Sequence, residues 1–527
     1  MRRDRSWHSF ALSLCLTTSL AACGADVSAP DTSNTSSAVT ATTSYLVSFP
    51  NGTIPTNAAA IVSAAASDAT IAASYKNLGI VLVKTASTSF TTNLRKDSRV
   101  SAVGASRAVS SSLEVQSKSG SFQSASTFKQ AAPAAHPHVF KAPGSDPLSS
   151  RQWDMDQIHS PQARAINAGS NKVLVGVLDS GVDPTHPDLQ GAVNAAASAS
   201  CIGGVVNTDP TVWSNDVIGH GTHVSGIIAG RKNNVGIVGV APGVQIAGVK
   251  LAVDDVNDPN FGLVFADAMI CAIDWSVGHN VDVMNASLTI DPFTGPIDDL
   301  FCSDEPDRVA IVTMVRQAVF AAAKKNVSLV ASTGNMFLDL ANVPGQTPGS
   351  TCAVLPVDVP TVIGVSAVGY TQKLSWFSDY GQGKVDVAGP GGDNLIADPL
   401  VTDTTASGQV LSSVPPNSLY YQFAADWDGQ VQDCSTGTCS TYAYLQGTSQ
   451  AAPHATGVAA LVISRYGKMG PIALLARLAA AANQLPCPPS PYDPGMTGQP
   501  ATCTTSLSGK YKNFYGWGEV DALNVVK

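Results

Sequence analysis

The chain has 527 residues, of which 44% are hydrophobic but only 13% charged, about half the usual share of ~25%. Lys and Arg number 30 against 39 Asp and Glu, a net charge of −9. This balance excludes the basic footprint of a general nucleic-acid binder and the dense charge of a disordered chain. Ten cysteines in so weakly charged a chain point to an oxidising compartment.

At roughly 150 residues per domain, the length allows three or four units. Residues 1–22 read as a signal peptide: Arg2, Arg3 and Arg5 precede a short apolar run at 10–20. That run is too short for a membrane span of about 20 apolar residues and suits an export signal. It ends in Leu20-Ala21-Ala22-Cys23-Gly24, which resembles the lipobox of bacterial lipoproteins. The resemblance makes Cys23 a lipidation site and a membrane anchor; the other reading is an ordinary cleavage site with an incidental cysteine. Gly24 does not resemble an inner-membrane retention signal. The expected location is the outer membrane or surface of a bacterial cell envelope, or the medium after processing.

Residues 23–44 are a Ser/Thr/Ala-rich linker. Residues 45–104 then carry a pattern: a strand at 45–49, an Ala-rich helix at 58–73, a strand at 79–83, a short helix at 90–95 and a strand at 100–103. The order β-α-β-α-β predicts a small α+β domain, ferredoxin-like with a fourth strand unplaced. Residues 105–150, with Pro133, Pro137, Pro143 and Pro147, form a second linker. From 151 to 527, apolar strands at 173–178, 246–251, 281–284, 328–332 and 361–366 alternate with helices at 221–229, 263–276, 309–324 and 451–464. Such alternation, with continuous apolar strands, predicts an α/β fold of three layers around a mostly parallel sheet.

Three segments carry chemistry. Asp179-Ser180-Gly181 follows the central strand, His220-Gly221-Thr222-His223 opens a helix, and Gly447-Thr448-Ser449 opens another. A serine hydroxyl is a weak nucleophile that needs a base to take its proton, and the base needs a carboxylate to fix its tautomer. Asp179, His220 and Ser449 supply those three roles in the chain order of the subtilisin triad. Acyl transfer also needs oxyanion donors; Asn335, after Ser332-Thr333-Gly334, offers a side-chain amide, and the Ser449 N–H a second donor.

These stretches, with His186-Pro187-Asp188-Leu189, Gly239-Val240-Ala241-Pro242, Gly447 through His454 and a closing Tyr515-Gly516-Trp517-Gly518, resemble the subtilisin-like serine proteases, the subtilases. The resemblance covers 151–527 as the catalytic domain. It implies an endopeptidase acting on protein or peptide substrates, with Ser449 as nucleophile, His220 as base, Asp179 as orienting carboxylate and Asn335 as oxyanion donor. It implies substrate binding by Ser287, Leu288, Ser332, Thr333 and Gly334, and a structural His223. The block at 45–104 resembles the family's inhibitory propeptide, so the chain's own propeptide is an expected partner. No cofactor is needed for the chemistry. A structural calcium on Asp188 and Asn233 is the one metal the resemblance suggests, against a capping Asp and an ordinary turn. A catalytically silent surface-anchored binding protein and a transpeptidase with the same triad are the rival functions.

The sequence departs from the family in four places. Gln450 stands where Met is usual, Thr289-Ile290 replace two glycines that line the pocket, Cys302 lies in one insertion and 397–437 form another, each either a rim of the cleft or a surface loop, with the loop favoured. The Thr289-Ile290 pair is expected to narrow or reshape the pocket. With Cys15 removed and Cys23 lipidated, eight cysteines remain, which allow 105 pairings. Spacing favours Cys434–Cys439 and Cys487–Cys503; the other four would pair among themselves, with Cys201–Cys271 and Cys302–Cys352 one arrangement.

Overall fold

The structure is a computed structural model that describes residues 42–106, 108–110, 146–254, 262–290, 305–343, 353–396, 398, 401, 404–495, 498 and 500–527. The expected signal peptide, Cys23, most of the second linker and the Cys302–Cys352 pairing lie outside these residues.

The N-terminal domain runs β1 (Thr43–Ser48), α1 (Ala58–Ala65), β2 (Thr70–Tyr75), β3 (Ile80–Thr85), α2 (Phe90–Leu94) and β4 (Ala102–Ala105). Its sheet has the order β2-β3-β1-β4, with every pairing antiparallel. The missing fourth strand is β2, which the sequence reading had absorbed into the Ala-rich helix. Alanine carries no clear period of 2 or 3.6, so tertiary contacts decide. Asp68 ends the helical stretch by accepting from Thr85 Oγ1 and Ala86 N, each at 2.8 Å, and Thr70 onward pairs with β3.

Both faces of this sheet are buried. Val47, Val81 and Val83 pack under α1 and α2 with Ile61, Val62, Phe90 and Leu94. The alternate residues Leu46, Ile80 and Leu82 join Tyr75 and Leu78 in the core of the second domain, as the two-residue strand period requires.

The chain already joins the large core at Asp146, inside the expected linker 105–150: Leu148 N donates to Gly236 O at 2.8 Å and Asp146 accepts from Asn233 N. A short strand, β5 (Ala108–Ser110), precedes it. Then come α3 (Trp153–Gln157), α4 (Ser160–Ile166), β6 (Leu174–Asp179), β7 (Ala199–Ser200), α5 (Pro210–Trp213), α6 (His220–Ala229), β8 (Gln245–Lys250), β9 (Ala252–Asp254), β10 (Gly262–Phe265) and α7 (Ala266–Gly278). They are followed by β11 (Val283–Ala286), α8 (Pro306–Lys324), β12 (Ser328–Ser332), β13 (Val362–Val368), β14 (Val387–Pro390), β15 (Val410–Ser413), α9 (Leu419–Ala424), β16 (Gln430–Asp433), β17 (Ser440–Leu445), α10 (Thr448–Tyr466), α11 (Pro471–Ala481) and α12 (Ala522–Val526).

Seven strands form one parallel sheet in the order β14-β13-β12-β11-β6-β8-β7. One face packs with α7 and α8, the other with α6 and α10, so the fold is the expected three-layer α/β. The start of the helix read at 263–276 is instead strand β10, paired with β9 and β5. Disulfides join Cys201–Cys271, Cys434–Cys439 and Cys487–Cys503.

Glu519 is fully buried and accepts from Gln157 Nε2 at 2.6 Å and Gln372 Nε2 at 3.0 Å. Burial pushes its pKa from 4.5 up to about 7. The folded state therefore keeps a proton that the unfolded chain releases, and stability falls as pH rises through that interval. Glu519→Gln removes this loss: its melting temperature relative to wild type should rise between pH 5 and pH 8. An unchanged difference across that range would contradict the assignment.

Candidate active site

Parallel strands expose their C-terminal ends together at one edge, where α/β folds build sites. β6 ends there with Asp179, buried among apolar neighbours. Its Oδ1 accepts from Ser180 N at 2.7 Å and contacts His220 Nδ1 at 2.8 Å. His220 opens α6, close enough for this contact because the next residue is Gly221: a Cβ there would lie 2.0 Å from Gly181 O. The second ring nitrogen of His220, Nε2, has no hydrogen-bond partner among the described residues.

Asp216, four residues before His220, is a residue the sequence reading missed. Its fully buried carboxylate accepts from Ser180 Oγ (2.7 Å), Gly219 N (2.9 Å), Thr222 N (2.9 Å) and Thr222 Oγ1 (2.6 Å). Ser180 Oγ in turn accepts from Gly221 N at 3.0 Å. This knot ties the start of α6 to the end of β6. Burial pushes the Asp216 pKa up, against the four bonds that favour the ion.

Ser449 is the second residue of α10. Its Oγ donates to Ser287 O at 3.1 Å, and Ser287 Oγ donates to Ser449 O at 2.8 Å. The second bond is open because Pro453, four residues on, has no N–H to give that carbonyl. Ser287 Oγ also accepts from Asn285 Nδ2, so the end of β11 is stapled to α10. The serine hydroxyl has no hydrogen bond to His220 in this conformation.

The first four amides of a helix lack intrahelical acceptors. At α10, Thr448 N donates to Asn335 Oδ1 at 2.8 Å, while Gln450 N and Ala451 N donate to Gly447 O. The Ser449 amide alone of these four has no acceptor among the described residues. Thr448 N must donate, so the oxygen of the Asn335 amide faces it, and Nδ2 is the end left without an acceptor among the described residues. Asn335 Nδ2 and Ser449 N are therefore two donors at the start of α10 without acceptors among the described residues.

Thr333 and Gly334 hold this loop. Thr333 Oγ1 lies 3.2 Å from Val365 O and 3.1 Å from Asp379 O, and Gly334 N donates to Thr448 Oγ1 at 3.1 Å. Gly334 has φ +118°, and a Cβ would sit 2.2 Å from Asp379 Oδ2. Ser332 and Leu288 are buried. The expected crowding of the pocket by Ile290 is overturned in part: its side chain lies wholly in the core and its N–H donates to Leu355 O at 2.6 Å.

The second insertion is no detached loop. Leu419 N donates to Val217 O and Tyr420 N to Ile218 O at 2.9 and 3.0 Å, just before His220. The Tyr420 ring stands edge-on to the imidazole, centroids 5.6 Å apart, so α9 walls one side of the site. Nothing local in the sequence signals this non-local pairing. His223 Nε2 donates to Ala443 O at 3.1 Å, and burial lowers its pKa to about 3, so it stays neutral.

Asp188 and Asn233 lie near a third residue, Asp146. Asp188 Oδ2 accepts from Ile237 N and Asp146 Oδ2 from Asn233 N, at 3.1 and 2.9 Å. The other oxygens of both carboxylates are buried without a hydrogen-bond partner. Burial pushes Asp188 up to about 8 and raises Asp146. Asn233 Oδ1 already accepts from Val235 N at 3.0 Å. Among the described residues no group of three or more His, Cys, Asp or Glu is placed to hold a metal ion.

The fold brings an Asp–His pair and a helix-borne serine to one edge of the parallel sheet. Residues 170–518 match the Subtilase family, and the chain belongs to it. It is similar to fervidolysin of Fervidobacterium pennivorans, 30% identical over 328 residues, covering 62% of this chain and 39% of that protein. Against subtilisin E of Bacillus subtilis (strain 168) the identity is 27% over 314 residues, 60% of this chain and 61% of that one. Among solved structures, the epidermin leader peptide processing serine protease of Staphylococcus aureus superposes with TM-score 0.62 at 18% identity, covering 92% of this chain and 98% of that one. Fervidolysin superposes with TM-score 0.60 at 22% identity, over 92% and 61%. These low identities speak for the fold.

Asp216→Ala would strand four donors in the core, a loss on the order of 2–4 kcal/mol. Chemical denaturation should show that loss, with Asp216→Asn in between; wild-type stability in the alanine variant would refute the knot.

Proposed function

We propose that the protein is a serine endopeptidase that cleaves peptide bonds through Asp179, His220 and Ser449 and is made as a self-inhibited precursor. The observation that carries this reading is the 2.8 Å Asp179–His220 contact at the sheet edge that also presents Ser449 with two unoccupied amide donors.

The Asp179 carboxylate accepts a hydrogen bond from Nδ1–H, which fixes that tautomer and leaves Nε2 as the base. The Ser449 hydroxyl turns from Ser287 O to Nε2, gives up its proton there and attacks the substrate carbonyl. Asn335 Nδ2 and Ser449 N donate to the resulting oxyanion. His220 then passes the proton to the departing amine, and water repeats the sequence to release the acid. Because Ser287 O holds the resting hydroxyl, that carbonyl becomes free to accept from substrate backbone once the hydroxyl has turned.

The N-terminal domain supports the precursor reading. Its sheet covers α7 and α8, Tyr75 donates to Gly204 O at 2.7 Å, Asp274 accepts from Asn77 N at 2.9 Å and Arg95 pairs with Asp307. Its tail continues into β5, antiparallel to β10, so the chain itself occupies a strand-binding edge that an extended peptide would use. Acylation of Cys23 would tether the precursor to a membrane.

A calcium ion would suit the two half-satisfied buried carboxylates, Asp146 and Asp188. Hard oxygen ligands suit calcium. It would tie residues 146–151 to the 233–237 turn and would supply stability, not chemistry.

Ser449→Ala should accumulate as the uncut precursor by intact mass, while wild type loses its N-terminal domain; a processed Ser449→Ala chain in isolation would overturn self-cleavage. Asn335→Ala should keep the precursor's fold and lower kcat roughly 10²–10³-fold, the range known for the corresponding donor in a subtilisin. A chelator should lower the melting temperature of wild type but not of Asp146→Asn; equal shifts in both would remove the calcium assignment.

A further inference from the structure

A second Asp–His pair lies behind the nucleophile. His454, five residues after Ser449 on α10, places Nε2 2.9 Å from Asp154 Oδ2 and Nδ1 2.7 Å from Gln450 O. Both side chains have zero exposure, so neither meets substrate. A carbonyl oxygen only accepts, so Nδ1 carries a hydrogen. One proton then serves the Nε2–Oδ2 contact, and the pair together has no net charge.

Its position is specific. Pro453 removes the N–H that would hold the Ser449 carbonyl. Ser287 Oγ donates to that carbonyl instead, and the His454 ring adds a side-chain bond to the Gln450 carbonyl. Gln450 is the residue directly after the nucleophile. Asp154 comes from α3, on a segment held by Trp153 Nε1 to Gln409 O (2.9 Å) and by the Gln152 side chain to Val238. Its other oxygen is buried without a hydrogen-bond partner. A half-satisfied buried carboxylate is a cost to stability, which points to a role beyond stability.

We propose that Asp154 and His454 are positioning residues for the reaction: they fix the Gln450 carbonyl, and through it the Ser449 hydroxyl and amide, in the reactive geometry. The proposal rests on Ser449 being the nucleophile. A misplacement of about 1 Å can cost on the order of 10²-fold in rate.

Two variants test it. In Asp154→Asn the amide donates to Nε2 of a neutral His454, so the Nδ1–Gln450 bond survives. The paired change Asp154→Leu with His454→Leu removes both members of the buried pair, so neither is left behind without the other, which favours folding. kcat and KM are measured on a peptide substrate, per mole of Ser449 labelled by a fluorophosphonate. The double leucine variant should lose about 10- to 100-fold in kcat with KM within about twofold, and Asp154→Asn should stay within about threefold of wild type. Wild-type kcat in the double variant, a loss confined to KM, or a tenfold fall in Asp154→Asn would overturn it. Absence of label on wild-type Ser449 would instead defeat the nucleophile assignment on which it rests.

Discussion

The contact between Asp179 and His220 is the constraint around which the rest is arranged. It places a carboxylate out of water, where an ion is costly unless it is met by donors, and it sets which imidazole nitrogen is free. The parallel sheet brings β6 to the right edge, Gly221 allows α6 to approach, and Asp216 ties the two elements together. Each of these makes the geometry rigid before a substrate arrives, so little reorganisation is left for the reaction itself.

Around α10 the same logic runs through backbone groups. The helix gives up one regular hydrogen bond at Pro453, replaces it with a bond from Ser287, and takes a further side-chain bond from His454 at the Gln450 carbonyl. Asn335 caps Thr448 and thereby turns its own amide outward. Ser449 is thus placed by side chains drawn from the end of β11, the loop after β12 and α3, elements far apart in sequence. The N-terminal domain packs on the opposite layer, against α7 and α8, and its tail pairs with the strand β10 through β5.

Much of this was legible in the residues. Continuous apolar strands announced a buried parallel sheet, and Asp179, His220, Asn335 and Ser449 each sit at the end of a strand or the start of a helix, where pattern and chemistry coincide. What was not legible depends on distance along the chain. Asp154 and His454 are 300 residues apart, and Tyr420 reaches His220 through backbone pairing that no periodicity encodes. Asp146 stood in what reads as a linker, and β2 was hidden because alanine suits helix and strand alike. Ile290 read as a pocket residue, yet its side chain finds the core.

The central claim is covalent chemistry at Ser449. Wild-type protein mixed with an amino-acid p-nitrophenyl ester, quenched in acid within the first turnover and mapped by peptide mass, should carry the acyl group on Ser449, and His220→Ala should not. Turnover of the ester with no adduct, or with the adduct on another residue, would contradict the account.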